Sequence, residues 1–314
     1  MKAGASQFKH LFGPVASRRL GRSLGVDLLP FKTCTLDCVY CECGCTTRRT
    51  LQRREYVPAT EILAELRQWH AGGGAADVIT IAGSGEPTLH TRFGEIIVAA
   101  KQIVAAPVCL LTNGTLFYLP EVRRAAAAAD IVVPSLDAPD QAVFERINRP
   151  CAALTFETYF QGLQAFAQEY RGRLWLEIFI VPGINDERGI VAAMAQRVAE
   201  LKPEKVQLNT AVRPPAESFV KPLSPHALEE LAALFTPRAE VIASFDKATL
   251  QQSHCTATDV LRLLQRRPCP LEEIASGLSA PAAEVQALLD ALLAEGRVTR
   301  ETLSGQVFFR AARG

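Results

Sequence analysis

Six short apolar runs, each followed by an amphipathic stretch, constrain the fold of this 314-residue chain more than any other feature. They are LGVDLLP (24–30), DVITIAG (77–83), PVCLLTNG (107–114), DIVVPSLD (130–137), LWLEIFIVPG (174–183) and EKVQLNT (204–210). Runs that are apolar at successive positions predict strands covered on both faces, and strands alternating with helices predict a parallel sheet. The intervening segments have helical spacing, with Ile62, Leu63, Leu66 and Trp69 on one face and Ile96, Ile97 and Ile103 on another. The expected fold class is therefore α/β, as a full or partial (β/α) barrel, with an open sheet as the alternative.

In parallel α/β folds chemistry gathers at the carboxyl ends of the strands. Read in order, those ends carry a cysteine loop (34–45), GSGEPTLH (83–90), TNG (112–114), SLDAPD (135–140), PGIND (182–186) and NTAVRPPAE (209–217). The loop CTLDCVYCECGC holds five of nine cysteines. An odd total crowded into one loop does not suit a secreted disulfide framework. A structural zinc site draws two separated ligand pairs, whereas only Cys38 and Cys41 form a CxxC here, and the ferredoxin spacing is also absent. Zinc held wholly within the loop stays open as an alternative.

Cys34-x3-Cys38-x2-Cys41, with Tyr40 just before the last cysteine, resembles the signature of the radical S-adenosylmethionine (SAM) superfamily. The resemblance implies a partial (β/α) barrel of the radical SAM type. It also implies a 4Fe-4S cluster on Cys34, Cys38 and Cys41, with one iron left open for S-adenosyl-L-methionine, which is cleaved to a 5′-deoxyadenosyl radical. The remaining strand ends resemble the family's cofactor elements. Gly83, Ser84, Gly85, Glu86 and Pro87 correspond to the glycine-rich segment beside the methionyl amino group, with Ser84 in place of a glycine. Asn113 lies in the third-strand element, Ser135 and Asp137 take the ribose or carboxylate positions, and Val181 opens the segment beside adenine. FGPVASRRLGRSLGVDLLPFKTC, CVYCECG, INRP (147–150) and QLNTAVRPPAE (207–217) further resemble the wyosine-synthase-like iron–sulfur oxidoreductases. Wyosine synthases carry a second cysteine cluster upstream, and no cysteine here precedes Cys34.

The expected activity is that of a radical SAM iron–sulfur oxidoreductase or transferase. A one-electron donor of the flavodoxin or ferredoxin type would reduce it, and an RNA, protein or small anionic molecule would be its substrate. A glycyl-radical activase is an intermediate possibility. The rival is a cluster-containing regulator that binds nucleic acid. Arg213 is the candidate substrate anchor, through its fork geometry, or else a structural ion pair. Asn209 and Glu217 are weaker candidates, and Lys32 either offsets the cluster's negative charge or reaches solvent. His90 is read as a packing or capping residue. Cys43 and Cys45 have three readings: small loop residues, ligands of a second metal, or redox-active thiols. The first is taken, leaving the triad alone to bind the cluster.

Net charge is +1, so the overall balance names no partner, yet residues 1–60 carry ten Lys/Arg against four Asp/Glu. Arg18, Arg19 and Arg22 form one group, and Arg48, Arg49, Arg53 and Arg54 a second. Two domains are expected: a core over 1–250 with a basic N-terminal segment, and a winged-helix-like unit over 256–314. The second domain has seven Arg, seven Asp/Glu and no Lys. Its recognition-position helix holds Glu284, Asp290 and Glu295 and no basic residue, which argues against DNA. The wing arginines Arg297, Arg300 and Arg310 leave RNA or peptide docking open, beside a structural cap on the barrel. With no bilayer-length apolar run and no signal-type segment in MKAGASQFKHLFGP, a cytoplasmic, non-membrane protein is expected.

Overall fold

All six apolar runs are parallel strands in the computed structural model, which describes residues 8–17, 19–242, 255–278, 280–303 and 305–312. Arg18 and the 1–7 segment lie outside the described residues, as do residues 251–254 of the predicted domain junction. The chain begins with an antiparallel pair, β1 (Leu11–Ser17) and β2 (Gly21–Val26). The cysteine loop follows, carrying a small parallel pair, β3 (Thr33–Cys34) and β4 (Arg48–Arg49). Next come α1 (Ala59–Ala71), β5 (Val78–Ile81), α2 (Phe93–Ile103), β6 (Val108–Thr112), α3 (Pro120–Ala126) and β7 (Ile131–Pro134). After them are α4 (Gln141–Asn148), α5 (Phe156–Glu169), β8 (Arg173–Phe179), α6 (Arg188–Leu201), β9 (Lys205–Asn209), α7 (Pro225–Ala232) and β10 (Glu240–Val241).

These strands make one eight-stranded sheet in the order β1-β2-β5-β6-β7-β8-β9-β10, in which every pair except β1–β2 is parallel. Strand periodicity sends alternate residues to opposite faces. Ile79 and Ile81, Val108 and Leu110, and Leu176 and Ile178 face the helices and join one continuous core. Helix α1 supplies Ile62, Leu66 and Trp69 to that core at the spacing of one helical face. On the other face Ser23, Thr80, Leu111, Glu177 and Asn209, from five different strands, line a single cavity of about 320 Å³. Side chains from both flanks of the sheet meet there only because the sheet curls. The architecture is a partial (β/α) barrel, whose edge strands β1 and β10 do not pair with each other.

The two edge strands, β1 and the short β10, are the strands of this sheet that the apolar pattern did not predict. LFGPVAS is broken by Gly13 and Pro14, and its register with β2 shifts between Phe12 and Val15. As an edge strand it tolerates that irregularity.

The C-terminal segment folds as α8 (Ala257–Arg266), α9 (Leu271–Gly277), α10 (Ala282–Ala294), β11 (Val298–Leu303) and β12 (Gln306–Ala311), the last two forming an antiparallel hairpin. Thr256 and Asp259 make a reciprocal capping box at the start of α8. Pro281 caps α10, and Gly296 follows it in the left-handed region with φ 67°. These elements share a hydrophobic cluster that also takes in Val15 of β1.

Candidate active site

The strand ends predicted to carry chemistry converge on the cysteine loop through backbone contacts as well as side chains. The Lys32 amide donates to the Ser84 carbonyl at 2.9 Å, and the Glu86 amide to the Thr33 carbonyl at 3.1 Å, so GSGEP lies along β3. That closeness explains both glycines. A Cβ on Gly85 would stand 2.1 Å from the Thr33 carbonyl oxygen, and one on Gly83 would stand 2.2 Å from the Asp27 carboxylate. Ser84, between them, donates its hydroxyl to Asp27 at 2.9 Å and is buried. Pro87 opens a short 3-10 turn capped by Glu86.

Glu86 is buried and ties two strand ends together. Its carboxylate accepts the Thr112 hydroxyl at 2.6 Å and the Asn113 amide at 2.7 Å, besides two donors from Thr88. Burial raises its pKa against those bonds. Asn113 is thereby held with its Nδ2 donating to Thr35 Oγ1 at 2.8 Å and toward Cys34 Sγ at 3.6 Å.

Cys38 and Cys41 each have a comparable donor. Asn148, the last residue of α4, donates Nδ2–H to Cys38 Sγ at 3.3 Å, and Lys32 donates its ammonium to Cys41 Sγ at 3.0 Å. Three sulfurs thus meet three N–H donors from three separate elements. Burial and the Glu86 carboxylate push the Cys34 thiol up to about 12, and burial with the Cys41 charge raises Cys38 as well. Cys41 goes the other way, to about 5, because the Cys43 thiol and the Lys32 ammonium stabilise its thiolate against the cost of burial. Burial lowers the Lys32 pKa, but Cys41 and Cys43 outweigh it and the net shift is upward. Lys32 is 3% exposed, so of its two sequence readings the structure favours the one facing the thiols.

Asp137, at a predicted ribose or carboxylate position, has three protein donors. It is buried, with Oδ2 accepting from the Tyr40 hydroxyl at 2.5 Å and from Asn148 Nδ2 at 2.8 Å, and Oδ1 from the Phe179 amide at 2.8 Å. Burial raises its pKa to about 6. It therefore positions Asn148 and Tyr40, and the Tyr40 ring stacks on Phe179 with centroids 3.9 Å apart. Ser135 is half-buried, and its carbonyl accepts the Tyr159 hydroxyl. The Val181 amide donates to Asn185 Oδ1 at 2.7 Å, while Asn185 Nδ2 returns to the Asp137 carbonyl at 2.9 Å. Asn148 and Asn185 were not singled out from sequence. Their only signal was membership of INRP and PGIND, where an asparagine reads as a turn residue.

Arg213 is 1% exposed and bound on both sides, by Glu42 of the cysteine loop and Glu273 of α9, each at 2.8 Å. Those two carboxylates hold its pKa above the usual value despite burial. The structural ion pair, the second of its two readings, is the one observed. Glu217 pairs with Arg149 at 2.5 Å, and Asn209 Nδ2 donates to Glu177 at 3.1 Å beside the Arg19–Glu177 ion pair of 2.8 Å. His90 is buried, with Nε2 on the Val57 carbonyl at 2.7 Å and Nδ1 accepting the Arg92 amide, a packing and capping role. Tyr40, Cys41, Gly83, Phe179 and Asn209 line the cavity, and α8 closes one side of it with Leu263 and Arg266.

The donor set also bears on what the loop could hold. Among the described residues no three His, Cys, Asp or Glu side chains converge as ligands of one metal ion. A cluster whose irons each take one thiolate asks for sulfurs set further apart, each free to accept an outer hydrogen bond, and that fits the three N–H···S contacts.

The parallel barrel, with a cysteine loop after its first parallel strand, has counterparts among known proteins. The family model of the Radical SAM superfamily matches residues 28–193, and the chain belongs to that superfamily. The protein named GTPase Obg of Brachyspira hyodysenteriae is 35% identical over 301 residues, which is 95% of this chain and 44% of that protein. The chain thus spans less than half the length of that relative. A UPF0026 protein of Methanocaldococcus jannaschii is 29% identical over 305 residues, covering 95% of this chain and 94% of that one. Among solved structures, TYW1 with a lysine–pyruvate adduct bound has TM-score 0.53 at 17% identity, over 73% of this chain and 76% of that one, a likeness of fold. No helix among the described residues is long and apolar enough to cross a membrane.

Proposed function

We propose that Cys34, Cys38 and Cys41 hold a 4Fe-4S cluster and that the surrounding strand ends bind S-adenosyl-L-methionine, for an oxidoreductase or transferase reaction on a substrate entering the barrel. The observation that carries this reading is the pairing of each of three sulfurs with its own N–H donor: Asn113, Asn148 and Lys32. When bound, the cluster and S-adenosylmethionine together supply a 5′-deoxyadenosyl radical that takes a hydrogen atom from the substrate.

The chain's own residues prepare the site. Lys32 offsets negative charge at the sulfurs, and the two asparagines orient them. Gly83, Ser84, Gly85, Glu86 and Pro87 offer backbone close to the loop because no Cβ intrudes at either glycine. Tyr40 and Phe179 wall the space, and the turn at Val181 is held by Asn185. The cavity of about 320 Å³ is at the small end for ligand pockets. It admits a small anionic molecule, or one residue or base of a protein or RNA. Residues 256–314 act in this reading as a winged-helix-like second domain capping the barrel, tied to the loop by Arg213. The enzyme works in the cytoplasm with a flavodoxin- or ferredoxin-type donor.

Iron content after anaerobic reconstitution of single variants tests the ligand set. Alanine at Cys34, Cys38 or Cys41 is expected to abolish the cluster, and alanine at Cys43 or Cys45 to leave it. Loss of iron in the Cys43 or Cys45 variant would overturn the three-ligand assignment.

A further inference from the structure

A strip of arginines lies one strand away from Cys34. In the β3–β4 register Thr33 pairs with Arg48 and Cys34 with Arg49, and the Thr50 amide donates to the Cys34 carbonyl at 2.9 Å. Arg48 and Arg49 are both exposed, as is Arg54. Among the described residues none of the three makes an ion pair with a carboxylate, and the acids of the neighbouring segments have other partners. Glu42 is held by Arg213, Glu55 by Arg92, Glu217 by Arg149, and Asp37 by the Thr46 amide. Arg48 and Arg54 lie over the Tyr56 ring at 5.6 and 4.5 Å, and Arg49 donates one Nη1–H to the Arg149 carbonyl at 3.1 Å. Phe31 adjoins the strip, 44% exposed, its carbonyl accepting the Thr47 hydroxyl.

Three exposed cations without counter-charges repel one another, a cost that a partner of opposite charge relieves. An exposed aromatic beside arginines is the composition of an interface centre. None of these residues lines the barrel cavity read as the substrate's. What docks on it stands one backbone hydrogen bond from a proposed cluster ligand. Electron transfer falls off steeply with distance, so this is a favourable place for a reductant to bind.

We propose that Phe31, Arg48, Arg49 and Arg54 form the docking surface for an acidic one-electron carrier protein. The carrier is oxidised by one electron and the cluster reduced by one, with no bond made or broken. This rests on the cluster assignment proposed above.

The test is a double charge reversal, Arg48→Glu with Arg49→Glu, using flavodoxin as the probe. Calorimetric binding of oxidised flavodoxin to the cluster-free chain at low salt is expected to weaken at least about tenfold in the variant. Bleaching of the reconstituted cluster by flavodoxin hydroquinone should slow in parallel and lose its dependence on ionic strength. Reduction by dithionite should stay at the wild-type rate. The milder Arg48→Gln with Arg49→Gln pair is expected to fall between the two. Flavodoxin binding and reduction at wild-type levels in the charge-reversed variant would overturn the proposal. So would loss of RNA binding with flavodoxin coupling intact, which would assign the strip to a nucleic-acid substrate. A wild-type chain that takes up no cluster yet binds flavodoxin through the strip overturns the cluster assignment and leaves the docking standing; absence of both overturns both.

Discussion

Asn148 illustrates how single residues set the chemistry of the loop. Its one amide group donates to Cys38 Sγ and to Asp137, so its orientation is fixed by a buried carboxylate that also holds Tyr40. Asn148→Leu removes the donor to Cys38, and a 10- to 100-fold loss of activity is expected, the usual order for an outer-shell partner. The midpoint potential of the reconstituted cluster should move to a more negative value, because a sulfur that loses an N–H bond leaves the iron more electron-rich. Cys41 gives a second prediction, independent of any cluster. Its pKa near 5 keeps it a thiolate at neutral pH, while Cys34 and Cys38 stay protonated. Iodoacetamide labelling of the cluster-free chain, followed by peptide mass spectrometry, should modify Cys41 before the other two, and Lys32→Met should slow that labelling about tenfold or more. Asp137 gives a third. Its folded pKa, raised from 3.8 to about 6 by burial, means that the folded state binds the extra proton, so its contribution to stability falls as pH rises from about 4 through 6. Asp137→Asn removes that slope, which denaturant titrations across this pH range would read.

At the scale of elements, the strands were legible because each is an apolar run of ordinary strand length, and the loop because cysteine spacing is specific. The register between segments was not legible. Nothing local in GSGEP says that Gly85 must let the Thr33 carbonyl within the reach of a Cβ. Gly85→Ala is expected to push the GSGEP segment off β3 and to cost about 1–3 kcal/mol or more, the range for overpacking a close contact. Thermal unfolding measures the loss, and an unchanged midpoint would mean that the segment can shift without penalty. Arg213 makes the same point. Its partners stand 171 and 60 residues away, and a sequence offers no cue for pairing charges at such separations.

Across the whole molecule, Arg213 joins the two ends of the chain's chemistry, the cysteine loop through Glu42 and the C-terminal helices through Glu273. Charges this deeply buried are costly when one partner is lost, about 3–5 kcal/mol. Glu273→Ala should therefore loosen the C-terminal helices as well as destabilise the fold, seen as faster amide exchange in α8 and α9 and a less protected cavity wall at Leu263. The polar network on the inner face, made of Arg19, Glu177, Gln207 and Asn209, was equally hidden in sequence, since each residue sits alone within an apolar strand or beside one. Whether the three cysteines hold a cluster that cleaves S-adenosylmethionine is read out by anaerobic incubation of the reconstituted chain with S-adenosylmethionine and dithionite. 5′-Deoxyadenosine is expected from the wild-type chain and not from Cys38→Ala; a fully loaded wild-type cluster that yields none would contradict the assignment.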